Sequence, residues 1–220
     1  DRPEADWRLG RTYKLIHDLQ PATLIGSNHH VSLIPGEDFQ MFEKGLPGES
    51  PFDKKARISD LPLEICDTIN NSWGYNRHDH WLKKDRDLIH YLVRGAGMNA
   101  NLLLNVGPKP DGTIAQGQVK KLKMMGAWME KWGHTIYGTR MGPYRPSGWG
   151  VSTVKDGQVY VHVLTMDRSI VLPEIDRTVV GARLLDGTAI EFEVAETGTI
   201  LHLPVERPDP YDTIIALDYE

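Results

Sequence analysis

Side chains that could bind or transform a polar ligand follow the ends of four predicted strands in the first part of the chain. They are Asn28, His29 and His30 after the first strand, Glu43 at the end of the second, Asn71 and Trp73 after the third, and Asn105 in the fourth. If the strands are parallel, these residues lie at one edge of a sheet. Amide, imidazole and carboxylate groups hydrogen bond to hydroxyls, and an indole ring stacks on the C–H face of a sugar. The pattern therefore favours a polyhydroxylated ligand.

Glu43 is the best candidate for proton transfer. In a regular strand over Asp38–Glu43 it shares a face with Phe39 and Met41, and apolar neighbours favour the protonated form that a general acid needs. An exposed carboxylate at a strand end is the alternative. The sequence does not rank Glu43 against the other nearby carboxylates, which are Glu37, Asp38, Glu49, Glu64 and Asp67.

The adjacent pair His29 and His30 is a poor zinc signature. Neighbouring residues of a strand point apart, and no third ligand follows at a metal-like spacing. A solvated turn, or a pair of residues at the edge of the core, is the alternative interpretation of this pair. We therefore expect no metal and no cofactor.

Helices and strands of an α/β protein must position these residues. Apolar residues recur at helical spacing over 6–19, 85–97 and about 116–133, whereas short apolar runs predict strands over Thr23–Ile25, Asp38–Glu43, Leu61–Ile69 and 101–106. The last of these strands lies in the stretch Asn99–Gly112, where Gly and Pro residues open a loop. Four strands are too few for a closed eight-stranded barrel, so residues 1–141 form either a small open sheet or half of a barrel.

The character of the sequence changes after a Gly- and Pro-rich stretch at Gly142–Gly148. From Trp149 onward, alternating β-rich segments are separated by Asp-Gly, Gly and Pro signals, and no helical pattern appears. The predicted strands cover 149–154, 158–166, 169–172, 179–185, 188–194, 198–203 and 212–219. We therefore predict a second domain over 142–220, an antiparallel β-sandwich.

Composition excludes several classes of function. The net charge is −5 and basic residues are scattered among acids, which argues against nucleic acid as a partner. No segment is apolar for about 18 residues, so we expect no membrane span. The single cysteine, Cys66, lies in an apolar run, where a small buried side chain is the favoured interpretation.

Four ordered motifs in residues 6–140 resemble the α-L-fucosidases of glycoside hydrolase family 29. They are Asp38-Phe-Gln-Met-Phe-Glu43 followed by Leu46-Pro47-Gly48, Trp73-Gly74-Tyr75, Asn101-Leu-Leu-Leu-Asn-Val-Gly-Pro-Lys-Pro-Asp-Gly112, and Tyr137-Gly138-Thr139. The resemblance implies α/β followed by all-β architecture, with the C-terminal half of a (β/α)8-like barrel before the β-sandwich. It also implies a retaining exo-glycosidase that hydrolyses terminal α-L-fucosides by double displacement between two carboxylates.

The resemblance assigns roles to individual residues. Glu43 occupies the position of the family's catalytic acid/base, and Trp73 the position of an aromatic ring that contacts the fucose methyl group. Where many members carry Asn-Asp-Arg-Trp, this chain has Asn28, His29 and His30, so these three residues become the candidates for sugar binding.

The family's nucleophile lies in a Trp-x-Asp segment upstream of the helix that here begins near Asp6. We therefore expect this chain to be the C-terminal part of a longer enzyme, nearly inactive by itself. The expected partner is a fucosylated oligosaccharide or glycoconjugate, and the family resemblance implies an extracellular, periplasmic or lysosomal location. A non-catalytic carbohydrate-binding module is the alternative.

Overall fold

The computed structural model describes residues 6–29, 32–49 and 58–220. The chain divides into two compact units. One comprises Asp1–Thr68 and Ala100–Asn105, and the other comprises Ile69–Asn99 and Val106–Glu220. The predicted domain boundary between residues 141 and 142 stays a prediction.

The first unit contains a four-stranded parallel sheet in the order β1-β2-β3-β4. The strands are β1 (Gly26–Ser27), β2 (Phe39–Glu43), β3 (Leu63–Thr68) and β4 (Ala100–Asn105), and they follow helix α1 (Leu9–Leu19). Proline cannot continue a helix, and α1 ends just before Gln20-Pro21 as predicted. Phe42 and Ile65 are fully buried and form a register pair in the middle of the sheet.

The second unit begins with a loop and two helices, α2 (Asp85–Ala96) and α3 (Gln116–Trp132), and α3 continues into a 3₁₀ turn at Gly133–Thr135. The end of α2 approaches the β-rich part of the unit closely. A Cβ atom at Gly97 would lie 2.4 Å from Cβ of Val151, so only glycine fits there.

Two antiparallel sheets make up the rest of the second unit. The five-stranded sheet has the order β5-β6-β7-β12-β9, and the three-stranded sheet has the order β10-β11-β8. Both sheets contribute to one hydrophobic core, with Leu172 and Leu201 from the smaller sheet and Val161 and Ile215 from the larger. The strands are β5 (Arg140–Met141), β6 (Gly150–Lys155), β7 (Gln158–Val163), β8 (Ser169–Pro173), β9 (Val179–Leu184), β10 (Phe192–Ala195), β11 (Gly198–His202) and β12 (Thr213–Tyr219).

The predicted sequence of mixed α and β elements followed by β-rich structure is confirmed, with three corrections. The strand predicted over Thr23–Ile25 is wrong: the ladder begins at Gly26, because the amide of Ile25 donates to the side chain of Asp38 instead. The strand predicted over 188–194 occupies Phe192–Ala195. Within α1 only Tyr13 of the predicted apolar stripe is buried, and Leu19 is exposed.

Cys66 is buried, as predicted. None of the helices in the described part of the chain is long and apolar enough to cross a membrane.

Candidate active site

Glu43 is the last residue of β2 and is half-buried. Burial alternates along β2: Gln40 and Phe42 face the more buried side, whereas Phe39, Met41 and Glu43 share the other. The sequence alternation predicted that Glu43 lies on the same face of the strand as Phe39 and Met41, and the structure agrees. The next residue, Lys44, turns the chain with a φ of 52° and donates its amide to the Cys66 carbonyl at 2.8 Å. Glu43 therefore lies at the point where the strand ends and a loop begins.

The parallel register brings other polar side chains onto the face of Glu43. Glu43 pairs with Cys66 on β3, and Thr68, two residues further on, pairs with Asn105 on β4. Side chains of paired residues point to the same side, and residues two apart in a strand share a face. Glu43, Thr68 and Asn105 therefore lie on one face near the carboxyl ends of their strands.

A second carboxyl group, Glu64, also lies on this face. It precedes Cys66 by two residues and pairs with Met41 on β2 and Asn101 on β4. Burial raises the pKa of Glu64, because the charged form loses hydration. The sequence placed Glu64 among the competing carboxylates, and the register singles it out as the one on the Glu43 face of β3.

His29 is fixed by a carboxylate that is completely buried. Its Nε2 atom lies 2.5 Å from Oε1 of Glu37, which also accepts a hydrogen bond from the Tyr13 hydroxyl at 2.9 Å. The other carboxylate oxygen of Glu37 accepts the amide of Ile34 at 2.9 Å. Burial, reinforced by the hydrogen bond and charge of Glu37, raises the pKa of Tyr13 to about 12. Glu37 is thus a positioning group for the loop that follows β1.

Two further competing carboxylates have structural partners. Asp38 Oδ2 accepts the amide of Ile25 at 2.7 Å and lies 3.5 Å from Nε2 of His17. Asp67 is buried and accepts the amide of Thr68 at 2.7 Å. Asp38 therefore binds the backbone just before β1, and Asp67 binds the backbone at the last residue of β3.

Two other residues of the first unit, Asn28 and His30, are predicted to bind the sugar. Asn28 is exposed directly after β1. His30 lies outside the described residues. Their predicted roles stay predictions.

Trp73 belongs to the second unit, in the loop that follows β3 in the chain, and 37% of its surface is exposed. Asp79 organises this loop by accepting the side-chain amide of Asn70 at 3.0 Å and the backbone amide of Asn71 at 2.9 Å. Desolvation opposes ionisation of Asp79, but hydrogen bonds from Ser72, Asn71 and Trp81 hold its pKa below the usual range. No sequence pattern predicted this role of Asp79, because its partners are eight and nine residues away in a loop.

Gly107, in the loop after β4, packs directly on the Trp73 loop. A Cβ atom at position 107 would lie 2.7 Å from the carbonyl carbon of Gly74 and 2.8 Å from the amide of Tyr75. Beside this contact is a cavity of about 140 Å³. It is lined by Asn70, Tyr75, Asn76, Arg77, Asp79, His80, Gly107, Lys109, Ala115 and Gln118.

Within residues 6–29, 32–49 and 58–220, no three His, Cys, Asp or Glu side chains gather as metal ligands.

Comparison with known proteins gives the family. The family model described as Alpha-L-fucosidase matches residues 1–134. An α-L-fucosidase of Dictyostelium discoideum is 27% identical over 165 residues, which cover 67% of this chain and 35% of that protein. Human plasma α-L-fucosidase is 35% identical over 106 residues, covering 44% of this chain and 22% of that protein.

Solved structures match over nearly the whole chain. α-L-Fucosidase isoenzyme 1 from Paenibacillus thiaminolyticus superposes with a TM-score of 0.78 at 32% identity, over 97% of this chain and 54% of that one. Thermotoga maritima α-fucosidase, in complex with a mechanism-based inhibitor, superposes with a TM-score of 0.72 at 25% identity. The match covers 96% of this chain and 48% of that one. The chain thus spans about half of these structures.

Proposed function

Because the chain belongs to the α-L-fucosidase family, we propose that the protein containing it hydrolyses terminal α-L-fucosides with retention of configuration, and that Glu43 is the acid/base. The observation that carries this proposal is the position of Glu43 at the carboxyl end of β2, on the same face as Thr68 and Asn105. Catalytic groups of barrel enzymes lie at that end of the strands.

The proposed reaction has two displacements at the anomeric carbon. In the first, a carboxylate attacks this carbon, the bond to the leaving oxygen breaks, and the carboxylic acid of Glu43 gives its proton to that oxygen. In the second, the Glu43 carboxylate takes a proton from water, the water oxygen bonds to the anomeric carbon, and the glycosyl–carboxylate bond breaks. Two inversions give net retention.

The nucleophile is proposed to come from a part of the enzyme outside these 220 residues. The carboxylates of Glu37, Asp38 and Asp67 each accept a backbone amide, which favours structural roles for them. Glu64 lies on the Glu43 face, but it is the second residue of β3 and so lies near the amino end of its strand rather than the carboxyl end. The greater length of the related enzymes is compatible with a nucleophile supplied elsewhere.

The parallel sheet is proposed to be half of a (β/α)8-like barrel, followed by a β-sandwich. Strands β1 and β4 are the two edges of the sheet, and Leu103 on β4 is 50% exposed on the Glu43 face. An exposed leucine beside catalytic-type polar groups suits a face that further strands would cover. One core shared by two antiparallel sheets suits a sandwich.

The substrate is proposed to be a fucosylated oligosaccharide or glycoconjugate. Trp73 would contact the fucose methyl group, and Asn28, His29 and His30 would hydrogen bond to hydroxyls. The contact with Glu37 supports this role for His29, because it fixes the orientation of the imidazole ring.

The stereochemical outcome tests this proposal. The full-length protein that contains this chain would be mixed with an aryl α-L-fucoside, and the first fucose anomer formed would be followed by proton NMR. Initial release of the α-anomer supports the proposal, whereas initial release of the β-anomer or absence of hydrolysis contradicts it.

A further inference from the structure

The cavity beside the Gly107 contact is lined by two loops of the second unit. The loop that follows β3 in the chain contributes Tyr75 and Arg77, and the loop that follows β4 contributes Lys109. The cavity volume of about 140 Å³ is below the roughly 300 Å³ at which pockets for whole ligands begin, so the cavity suits one part of a larger ligand. None of these three residues has a role in the proposed fucosidase reaction.

The loop after β3 is basic, whereas the whole chain has a net charge of −5. Residues 70–84 contain one acidic residue, Asp79, and three basic ones, which are Arg77, Lys83 and Lys84. Lys109 adds a further ammonium group at the cavity. This local excess of positive charge would attract an anionic group.

Arg77 and Lys109 are not neutralised by ion pairs. Within the described part of the chain, neither side chain pairs with a carboxylate. The Nε–H of Arg77 donates to Nε2 of His78 at 3.1 Å, a hydrogen bond that leaves the charge of the guanidinium in place. Hydrogen bonds from the amide and hydroxyl of Thr113, and also the charge of Lys109, lower the pKa of Asp111, but Asp111 does not line the cavity.

Asp79 is the one acidic side chain among the described residues that line the cavity, and donors of its own loop surround it. Its Oδ2 atom accepts the side-chain amide of Asn70 at 3.0 Å and the backbone amide of Asn71 at 2.9 Å. Its Oδ1 atom accepts the side-chain amide of Asn71 at 3.3 Å. These donors offset the charge of Asp79 and weaken its repulsion of an anion in the cavity.

The N-terminus of α3 also lies at the cavity. Its N-cap residue, Ala115, lines the cavity, no side chain caps the helix, and the first turn contains no acidic residue. A helix N-terminus carries a partial positive charge. This partial charge adds to the full charges of Arg77 and Lys109.

Tyr75 connects this cavity to the proposed fucose site. It lines the cavity with 44% of its surface exposed, and it follows Trp73 by two residues. The Cα atoms of these two residues are therefore at most about 7 Å apart. The Tyr75 ring offers a face to the C–H groups of a sugar and a hydroxyl for hydrogen bonding. A sugar bonded to a fucose at Trp73 would be able to reach the cavity.

We propose that this cavity binds the leaving-group sugar that is bonded to the fucose of the substrate, and that this sugar carries an anionic group, a sulfate or a carboxylate, held by Arg77 and Lys109. A guanidinium donates two parallel hydrogen bonds to either anion, and an ammonium adds a point charge. The place of the ligand in the substrate rests on the proposed fucosidase function, whereas binding of an acidic sugar does not.

The test is an NMR titration of the 15N-labelled 220-residue protein with glucose 6-sulfate and with glucuronate, and with glucose and inorganic sulfate as comparisons. We expect the amides of Tyr75, Asn76 and Lys109 to shift saturably with at least one acidic sugar, which should bind about tenfold or more tightly than glucose or inorganic sulfate. The tighter of the two acidic sugars identifies the anionic group. Equal affinity for glucose would overturn the role of charge, equal affinity for inorganic sulfate would overturn the role of the sugar, and absence of shifts would overturn the whole proposal.

Charge-removing variants locate the site independently. Arg77→Gln and Lys109→Gln should each weaken binding of the acidic sugar by about fivefold or more, because each removes a charge at the cavity. Lys123→Gln removes the same charge at an exposed position about two turns from the N-terminus of α3 and should leave the affinity within about twofold. Equal affinities of the three variants would contradict the proposal.

The full-length protein tests the assignment to the leaving group. The acidic sugar that binds best should lower the rate at which fucose is released from an aryl α-L-fucoside, over the concentration range in which it binds. Binding without this effect would contradict the assignment. If the full-length protein does not hydrolyse the fucoside, the proposed function fails, and the NMR titration still decides whether the cavity binds an acidic sugar.

Discussion

The imidazole Nε2 of His29 and the carboxylate Oε1 of Glu37 lie 2.5 Å apart. The Glu37 side chain is wholly inaccessible and also accepts hydrogen bonds from Tyr13 and Ile34. This explains how a carboxylate six residues before Glu43 can serve structure rather than chemistry.

Replacing Glu37 with glutamine should lower the free energy of unfolding by about 1–3 kcal/mol, because a glutamine amide cannot accept hydrogen bonds at both of its terminal atoms. Urea denaturation followed by circular dichroism would measure the loss. Glu49→Gln, at an exposed position, is the control and should change stability by less than about 0.5 kcal/mol. Equal stability of the two variants would contradict the role given to Glu37.

Tyr13 should make stability fall at alkaline pH. Its folded-state pKa of about 12 exceeds the ordinary value of 10.0, so the native state retains a proton that the unfolded chain has lost. The contribution of Tyr13 is complete below pH 10 and disappears as the pH rises towards 12. Unfolding measured across this range should show a shallower decline for Tyr13→Phe than for the unchanged protein. Parallel declines would show that another group is responsible.

His162 should carry a hydrogen on Nε2 in the folded protein. The Thr153 hydroxyl donates its single hydrogen to the Thr135 carbonyl at 2.8 Å. Its oxygen, 3.2 Å from Nε2 of His162, must therefore accept a hydrogen from that nitrogen. Long-range 1H–15N correlation spectra distinguish the two ring nitrogens. An imidazole protonated only on Nδ1 would disprove the hydrogen-bond assignment.

Gly107→Ala should destabilise the protein by more than about 1 kcal/mol, because the new methyl group would meet the backbone of Gly74 and Tyr75 rather than a movable side chain. Gly126→Ala is a matched substitution within α3, where nothing lies within 4 Å of the new atom. It should stabilise the protein by about 0.5–1 kcal/mol through helix propensity. Thermal unfolding of both variants would reveal the opposite signs; a stabilising Gly107→Ala would refute the close approach of the two loops.

Among the described residues, sequence periodicity was sufficient to predict helices α1, α2 and α3 and strands β2, β3 and β4, because their apolar residues repeat at the spacing of each element. The first strand was misplaced since a side chain, Asp38, binds the Ile25 amide that a regular ladder would use. The alternation of β2 correctly placed Glu43 on the face of Phe39 and Met41.

The hydrogen-bond partners of the buried titratable groups could not be predicted from the sequence. Tyr13 and Glu37 are 24 residues apart, and His162 and Asp212 are 50 residues apart. The two residues of each pair come together only in the tertiary fold. Their separation in the sequence is not one that predicts a contact. The position of Glu64 on the Glu43 face likewise could not be predicted, because it depends on the register between β2 and β3.

The identity of the acid/base is the central claim, and the leaving-group dependence of Glu43→Ala tests it most directly. In the full-length enzyme this variant should lose about 10²–10⁴-fold in kcat/KM on a fucosyl disaccharide, whose leaving group needs a proton. The loss should be much smaller on an activated aryl fucoside, whose leaving group does not. Glu64→Ala and Glu49→Ala, assayed in parallel, should lack this difference between substrates. A uniform loss for Glu43→Ala on both substrates, or a leaving-group dependence in Glu64→Ala instead, would contradict the assignment.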